Sequence, residues 1–399
     1  MSRHVVIVGG GAAGFFAAIN CAEKNRDYRI TILEKSSTVL SKVKISGGGR
    51  CNVTHACFDS RELAKNYPRG EKQLLGPFTR FNPSHTIDWF RQRGVTIMRE
   101  DDGRMFPATN SSQTIIDCFL AECKRLRVVI RMQCSIEKLE KTATGFTLTD
   151  NKGGNITADA VIITTGSSHS IWKMLQGVGH QIISPVPSLF TFHVNDSRIQ
   201  GLEGLSVEHA QISVVGNPKL LSSGPLLITH WGMSGPAILK LSARGARELF
   251  EKNYQFEISV NWAYQSTDEI TEYLKTYRGI HPKKGVVTHA AFKIPKRLWE
   301  RLCDGLEGKN YADLSNKQIE GLAINIAACR FCVTGKSTFK DEFVTAGGVD
   351  LREVDFKTMQ SKIIPQLYFA GEVLDIDAIT GGFNFQAAWT TAWIAANSL

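Results

Sequence analysis

The sequence predicts an α/β protein: a discontinuous Rossmann-type, dinucleotide-binding domain into which a β-rich, barrel-like domain with a small helical subdomain is inserted. Three observations predict it. Val5-Val6-Ile7-Val8 runs into Gly9-Gly10-Gly11-Ala12-Ala13-Gly14, so a strand, a G-x-G-x-x-G turn and a helix follow in order, and an acid, Glu34, ends the next strand. After about Pro187 the pattern changes to short, strand-like segments. Near the C-terminus the glycine-rich style returns, at Ala370-Gly371-Glu372 and at Gly381-Gly382.

In chain order, residues 4–8 form a short apolar strand, 12–24 a helix and 29–34 an alternating strand, a β-turn-α-β unit within about 30 residues. Residues 36–57 read as a basic, glycine-rich loop. Helical spacing covers 84–93 and 113–125, and 128–134 is a strand. A β-meander follows over 136–140, 146–150 and 160–165, with a turn at 151–155. Strands of the second domain cover 189–194, 208–215, 226–229, 255–260 and 329–334. Charged segments with helical spacing at 268–277, 295–303 and 316–326 form a nested subdomain. An apolar strand at 363–370 and a helix at 384–397 close the first domain. The expected division is 1–187 with 341–399 for the dinucleotide-binding domain, 188–266 with 327–340 for the β-rich insert, and 267–326 for the helical subdomain.

At 399 residues the chain has room for two or three domains. Hydrophobic residues make up 43% and charged residues 21%, which argues against disorder, collagen and coiled coil. No apolar stretch reaches the ~18 residues of a membrane helix. The run over 5–19 behind Arg3 resembles a signal peptide, but glycines at 9, 10, 11 and 14 fall inside it and the glycine reading prevails. The nine cysteines, odd in number and scattered, are then expected as reduced thiols in the cytoplasm. Net charge is +9, and residues 216–340 hold 18 Lys/Arg against 11 Asp/Glu, which is read as a solvated basic face.

The chemistry sits in the glycine turns. Gly9 permits the tight turn, Gly11 lets backbone approach a pyrophosphate, and Gly14 lets helix and strand pack closely, with Ala12 and Ala13 between them. The helix start offers free N–H groups and a partial positive charge to phosphate. Glu34, followed by Lys35, stands 20 residues past Gly14, where a carboxylate accepts hydrogen bonds from both ribose hydroxyls. This fingerprint is common to NAD and FAD. Gly371-Glu372, Asp375 and Thr380-Gly381-Gly382-Phe383-Asn384 favour FAD, since a returning element with a helix start suits the ribityl chain and the N1/O2 edge of a reduced flavin. Ser46-Gly47-Gly48-Gly49-Arg50-Cys51-Asn52 brings backbone close to something flat or phosphorylated, with Lys42 and Arg50 to offset its charge. Thr165-Gly166 is the small turn that passes near the first glycine loop.

These elements together resemble the BaiN-like flavoproteins, a family that includes aminoacetone oxidase-like enzymes. The matching text is VIVGGGAAG, SGGGRCNVT, DDGRMFP, THWGMSGPAILKLS, VTAGGVDLREVDFKTMQSK and LYFAGEVLDIDAITGGFNFQAAW, from Val5 to Trp389. The resemblance implies one tightly bound FAD, oxidoreductase activity and an inserted β-rich domain with a helical subdomain. This chain departs from the family pattern in SSHSIWKMLQGV, which lacks a Gly-Asp-Gly run, in His55 where Asn is usual, and in Ala378 and Ala392 for glycines.

The expected function is an FAD-dependent oxidoreductase passing a hydride between a small organic substrate and flavin N5, with a second acceptor, oxygen or another, reoxidising the flavin. An NAD(P)H-linked flavin reductase and a nucleic-acid-binding flavoprotein are the rivals, though no second glycine fingerprint for NAD(P)H is present. Nucleic acid, membrane and metal are not expected. His230 and Trp231 are the candidate catalytic pair, delivered by an apolar strand into a turn fixed by Gly232, Gly235 and Pro236. Arg104 reads equally as an anion anchor or a turn-closing salt bridge. Cys329-Arg330-Phe331-Cys332 is read as a chance CxxC, because i and i+3 face opposite ways on a strand.

Overall fold

The computed structural model describes residues 2–337 and 344–399, which divide into two compact units, Met1–Val186 with Lys340–Leu399, and Pro187–Phe339. The expected domain boundary at 340–341 lies outside the described residues.

The first unit is built on a seven-stranded sheet. Its order is Val354–Asp355, Gln360–Ser361, Leu367–Phe369, Ala160–Ile163, His4–Val8, Arg29–Leu33 and Val129–Arg131. The last five are mutually parallel, with Val6 opposite Val161 on one side and Thr31 on the other. Every residue of His4–Val8 and of Ala160–Ile163 is buried, which is why these segments are continuously apolar rather than alternating. Helix Ala12–Lys24 packs against Phe383–Asn397 and against Ser112–Arg125. Phe383–Asn397 is buried on nearly every side, so its polar groups are satisfied internally: the Thr54 and Thr86 hydroxyls both donate to Gln386 Oε1, at 2.6 and 2.9 Å.

Three expectations are corrected. Ala160–Ile163 is not the last strand of the meander. That meander is Ile136–Lys141, Phe146–Asp150 and Asn155–Ala158, and its third strand begins inside the segment expected as a turn. Asp159 marks the change of sheet: its N–H donates to His4 O at 2.8 Å, and its carboxylate accepts from His4 N–H at 2.6 Å. Residues 36–57 are not all loop. A helix runs over Ser41–Gly49, helical until Ser46, where ψ of 146° and the left-handed Gly47 and Gly48 break it. The sequence hid this helix because only Val43 of it is buried. Helices Ser60–Ala64, Glu71–Arg80, His169–Gly177, Pro236–Arg244 and Ala246–Glu251 were not anticipated, and Pro77 inside Glu71–Arg80 masks that one.

The second unit holds a closed six-stranded antiparallel barrel, in the order Phe192–Val194, Gly232–Ser234, Asn217–Thr229, Ser206–Val214, Phe256–Asn261 and Cys329–Lys336. Buried and exposed residues alternate strictly over Cys329–Thr334, so Cys329 is buried and Cys332 exposed. Between the last two strands lie Thr267–Ile280, Lys296–Leu302 and Asn316–Ala327. Capping boxes at Ser266/Glu269 and Ser315/Gln318 start the first and third of these helices.

Candidate cofactor site

At the end of His4–Val8 the chain turns on Gly9, whose φ is +114° and where a Cβ would meet Thr164 backbone at 2.7 Å. A Cβ on Gly14 would lie 1.9 Å from Gly9 O, so strand end and helix start touch backbone to backbone. Gly11 differs: a Cβ there meets nothing within 4 Å. It is the N-cap of Ala12–Lys24, with no side-chain cap and no acid in the first turn, which leaves the helix amides open to an anion. The Glu34 carboxylate accepts from Gly10 N–H at 2.7 Å and from Ser36 N–H at 2.8 Å. A carboxylate has about four acceptor positions, so it keeps capacity for hydroxyl donors. Lys35 beside it is exposed.

Next to this turn, Thr164 Oγ1 donates to Val8 O and Gly9 O, while the buried Thr165 hydroxyl has no partner among the described residues. Gly166, at φ +60°, faces Glu372. The Glu372 carboxylate takes Lys42 Nζ at 2.7 Å on one oxygen and Thr345 N–H at 3.0 Å on the other. Gly371, at φ +75°, donates its N–H to Thr391 Oγ1 at 3.0 Å.

The two later glycine motifs meet. A Cβ on Gly382 would lie 2.5 Å from Thr54 O and 2.7 Å from Asn52 Oδ1. His55 Nδ1 donates to Gly381 O at 3.0 Å, and its ring stacks on Phe383 with centroids 4.5 Å apart. Asn384 closes the loop by accepting from Ala378 N–H at 2.9 Å and donating to Ala378 O at 3.2 Å. No acceptor among the described residues takes the N–H of Gly382, Phe383 or Asn384. Asp375, whose N–H donates to Val349 O at 3.1 Å, lies in the same loop. Gly48 and Gly49 are exposed, and a Cβ on either meets nothing within 4 Å. Arg50 turns to Glu100 and Asn110 and lies over the Phe106 ring at 3.9 Å. Cys51 is fully buried and burial pushes its thiol up to about 12, so it packs rather than reacts at neutral pH.

This set fits an elongated flavin dinucleotide. It has two uncapped helix starts, an open glycine at each phosphate-type turn, a carboxylate with spare acceptor capacity and a buried hydroxyl awaiting a partner. The HI0933-like protein Rossmann domain family model matches residues 3–398. The chain belongs to that family. Within it, the chain is similar over nearly its whole length to curated proteins of two kinds. One is the ribosomal RNA dihydrouridine synthase of Escherichia coli strain K12, 28% identical over 99% of this chain and 97% of that protein. The other is the 3-dehydro-bile acid delta(4,6)-reductase of Clostridium scindens, 27% identical over 98% of both. Among solved structures, the 3-ketosteroid-delta4-(5alpha)-dehydrogenase of Rhodococcus jostii RHA1 shares the fold, with a TM-score of 0.53 at 12% identity, covering 99% of this chain and 96% of that one.

His230 and Trp231 belong to the second unit. They form the turn between Asn217–Thr229 and Gly232–Ser234, both exposed, with the Trp231 ring 6.0 Å from that of His193. The backbone at the turn's end packs closely: a Cβ on Gly232 would lie 2.4 Å from Phe192 O. Arg104 closes a turn, pairing with Asp102 at 2.6 Å and Glu100 at 3.1 Å. A residue that the sequence reading missed is Thr345, which holds Glu372. The glycine-rich text after Val344 was the available signal for it.

Proposed function

We propose that this HI0933-like chain is an FAD-dependent oxidoreductase that moves a hydride between flavin N5 and a carbon–carbon double bond conjugated to a carbonyl. The observation that carries it is the meeting of Asn52 and Thr54 with Gly382, which joins two glycine motifs over 300 residues apart beside unclaimed helix amides. The substrate class follows from what the two kinds of relative have in common by name: forming dihydrouridine and reducing a 3-dehydro delta(4,6) bile acid each add hydrogen across a ring double bond conjugated to a carbonyl.

FAD, when bound, supplies two-electron chemistry at N5. The chain's residues do the rest. Gly9, Gly11, Ala12, Ala13 and Gly14 hold the pyrophosphate on the first helix start, with Lys42 as a nearby cation. Glu34 accepts from the ribose, Lys35 lies beside it, and Thr165 with Gly166 lines the ribityl side. The backbone donors of Gly382, Phe383 and Asn384 orient the ring, and Gly371, Glu372, Asp375, Thr380 and Gly381 shape the loop that presents them. Gly48, Gly49, Arg50, Cys51 and Asn52 shape the opposing wall. His230 moves the proton that accompanies hydride transfer and Trp231 orients the substrate.

A second reading, an RNA base as substrate, is favoured by the names of the Escherichia coli and Haemophilus influenzae relatives. It also accounts for exposed Lys283, Lys293, Lys296 and Arg297 in the subdomain that holds the stacked Tyr273 and Tyr277 rings.

The test is to purify the protein, quantify released flavin, reduce it anaerobically and offer acceptors. One noncovalent FAD per chain and reoxidation by a cyclic enone are expected. A colourless protein that ignores added FAD overturns the cofactor assignment. Reoxidation only by uridine-containing RNA, with binding that falls steeply with salt, selects the second reading.

A further inference from the structure

The loop over residues 370–382 has no regular secondary structure, yet it delivers the chain into the N-terminus of Phe383–Asn397. Loops of this length inside a compact domain need fixing from outside. The fixing comes from residues 66–70, the turn between helices Ser60–Ala64 and Glu71–Arg80, a segment with no motif in the sequence.

Four contacts run between them. Ile379 N–H donates to Asn66 O at 3.0 Å. The buried Tyr67 hydroxyl donates to Phe383 O at 2.6 Å. Arg69 and Asp377 pair their backbones as an isolated antiparallel bridge, and the Arg69 guanidinium forms a two-pronged ion pair with the Asp377 carboxylate, which is fully buried. Gly70, at φ +99°, makes room for Ile376, whose Cγ1 would lie 2.9 Å from a Cβ there. A carboxylate with no solvent exposure is costly unless its partner is held in good geometry, so the pair specifies one arrangement of the loop rather than simply adding stability.

Resting on the FAD reading above, we propose that Arg69, Asp377 and Tyr67 are positioning residues that hold the 375–382 loop so that the amides at residues 382–384 are aimed at the N1/O2 edge of the flavin. Fixed donors favour the reduced, more negative form of the ring over the oxidised form. Loosening the loop should therefore lower the flavin potential as well as the affinity.

The test uses variants that leave net charge unchanged, so that a shift cannot arise from long-range Coulomb effects: the double variant Arg69→Gln/Asp377→Asn, and Tyr67→Phe. FAD dissociation is followed by flavin fluorescence, the midpoint potential by dye equilibration, and folding by thermal melting. The double variant should bind FAD about tenfold more weakly and lose about tenfold in preference for reduced over oxidised flavin, a shift of about 30 mV to more negative potential for a two-electron couple. Tyr67→Phe should shift both in the same direction by about threefold, and it decides the matter if the double variant does not fold. A folded variant with wild-type potential overturns the proposal, even if its melting temperature has dropped. Failure of the wild-type chain to bind FAD instead overturns the cofactor reading and this inference with it.

Discussion

Lys42 and Glu372, 330 positions apart, form an ion pair of 2.7 Å. It links the short helix before the Ser46-Gly47-Gly48-Gly49 turn to the end of the Leu367–Phe369 strand. The two partners differ in exposure, 56% for the lysine side chain and 21% for the glutamate, so the glutamate is the more constrained. Glu372→Gln is expected to weaken FAD binding by about 1.5–3 kcal/mol, the span for hydrogen bonds to a charged group. Lys42→Met, removing the solvent-screened partner, should cost less than about 1 kcal/mol. Fluorescence titration of both apoproteins checks the order, and a reversed order would show that Lys42 is the direct contact.

Gly11 and Gly14 separate binding from folding. Gly14→Ala drives a methyl into Gly9 O at 1.9 Å and should cost the apoprotein several kcal/mol, about 2–4, as overpacking against backbone that cannot yield. Gly11→Ala meets nothing at φ −92° and should change apoprotein stability by about 1 kcal/mol or less, while sharply reducing FAD affinity. Thermal melts of the two apoproteins with and without FAD test the contrast. Equal losses in both would mean that the open space at Gly11 has no ligand.

Glu34 has a double duty in the structure, since it holds Gly10 and Ser36 amides itself. Glu34→Ala should therefore lower FAD affinity by about 1–3 kcal/mol and also destabilise the apoprotein by a comparable amount. Glu34→Gln, which keeps an acceptor, should recover part of both. An unchanged dissociation constant in Glu34→Ala removes Glu34 from the cofactor site.

His180 gives the fold a pH dependence. Burial lowers its pKa below the ordinary histidine value of 6.5, and its Nε2 shares a hydrogen bond of 2.8 Å with Ser361 Oγ. Because the folded value lies below the unfolded one, the unfolded chain takes up protons first as pH falls. The stability contribution is complete above pH 6.5 and is lost as pH falls from there through the folded value. His4, also lowered chiefly by burial, acts in the same direction. The melting temperature should drop between pH 7.5 and 5.5, and His180→Gln should flatten that drop. A profile steeper in the variant than in the wild type would contradict the assignment.

His230→Gln should leave FAD content at the wild-type level, because the glycine-turn contacts lie in the other unit. Flavin reduction or reoxidation by substrate should slow by roughly 10²–10⁴, the span for loss of a proton-transfer group. Stopped-flow absorbance measures it, and a change below about threefold would leave His230 as a surface turn residue.

The backbone geometry of the proposed cofactor cradle was legible wherever close approach of main chain singles out a residue. Gly9, Gly14 and Gly382 each stand where a methyl group would collide with main chain, so their spacing is written directly in the sequence. The strand Ala160–Ile163 was legible as a strand but not as a member of the parallel sheet, because its neighbours His4–Val8 and Leu367–Phe369 are distant in sequence. The same holds for Arg69 and Asp377. One arginine among many becomes meaningful only when folding buries its partner. The short Ser41–Gly49 helix escaped because periodicity needs a buried stripe, and Val43 alone does not make one.

The placement of Ala160–Ile163 beside Leu367–Phe369 also bears on how the chain is made. The ribosome releases about 200 residues between these neighbours, on the order of 10–40 s at ordinary elongation rates. During that interval Ala160–Ile163 keeps an unpaired edge, while the barrel strands from Phe192 to Lys336 are all synthesised and free to close on themselves. Phe383–Asn397 emerges later still and carries the second half of the proposed cofactor cradle. A nascent chain stalled before residue 367 should thus present an open sheet edge that FAD cannot rescue. The period of greatest dependence on chaperones should end only when Phe383–Asn397 leaves the exit tunnel.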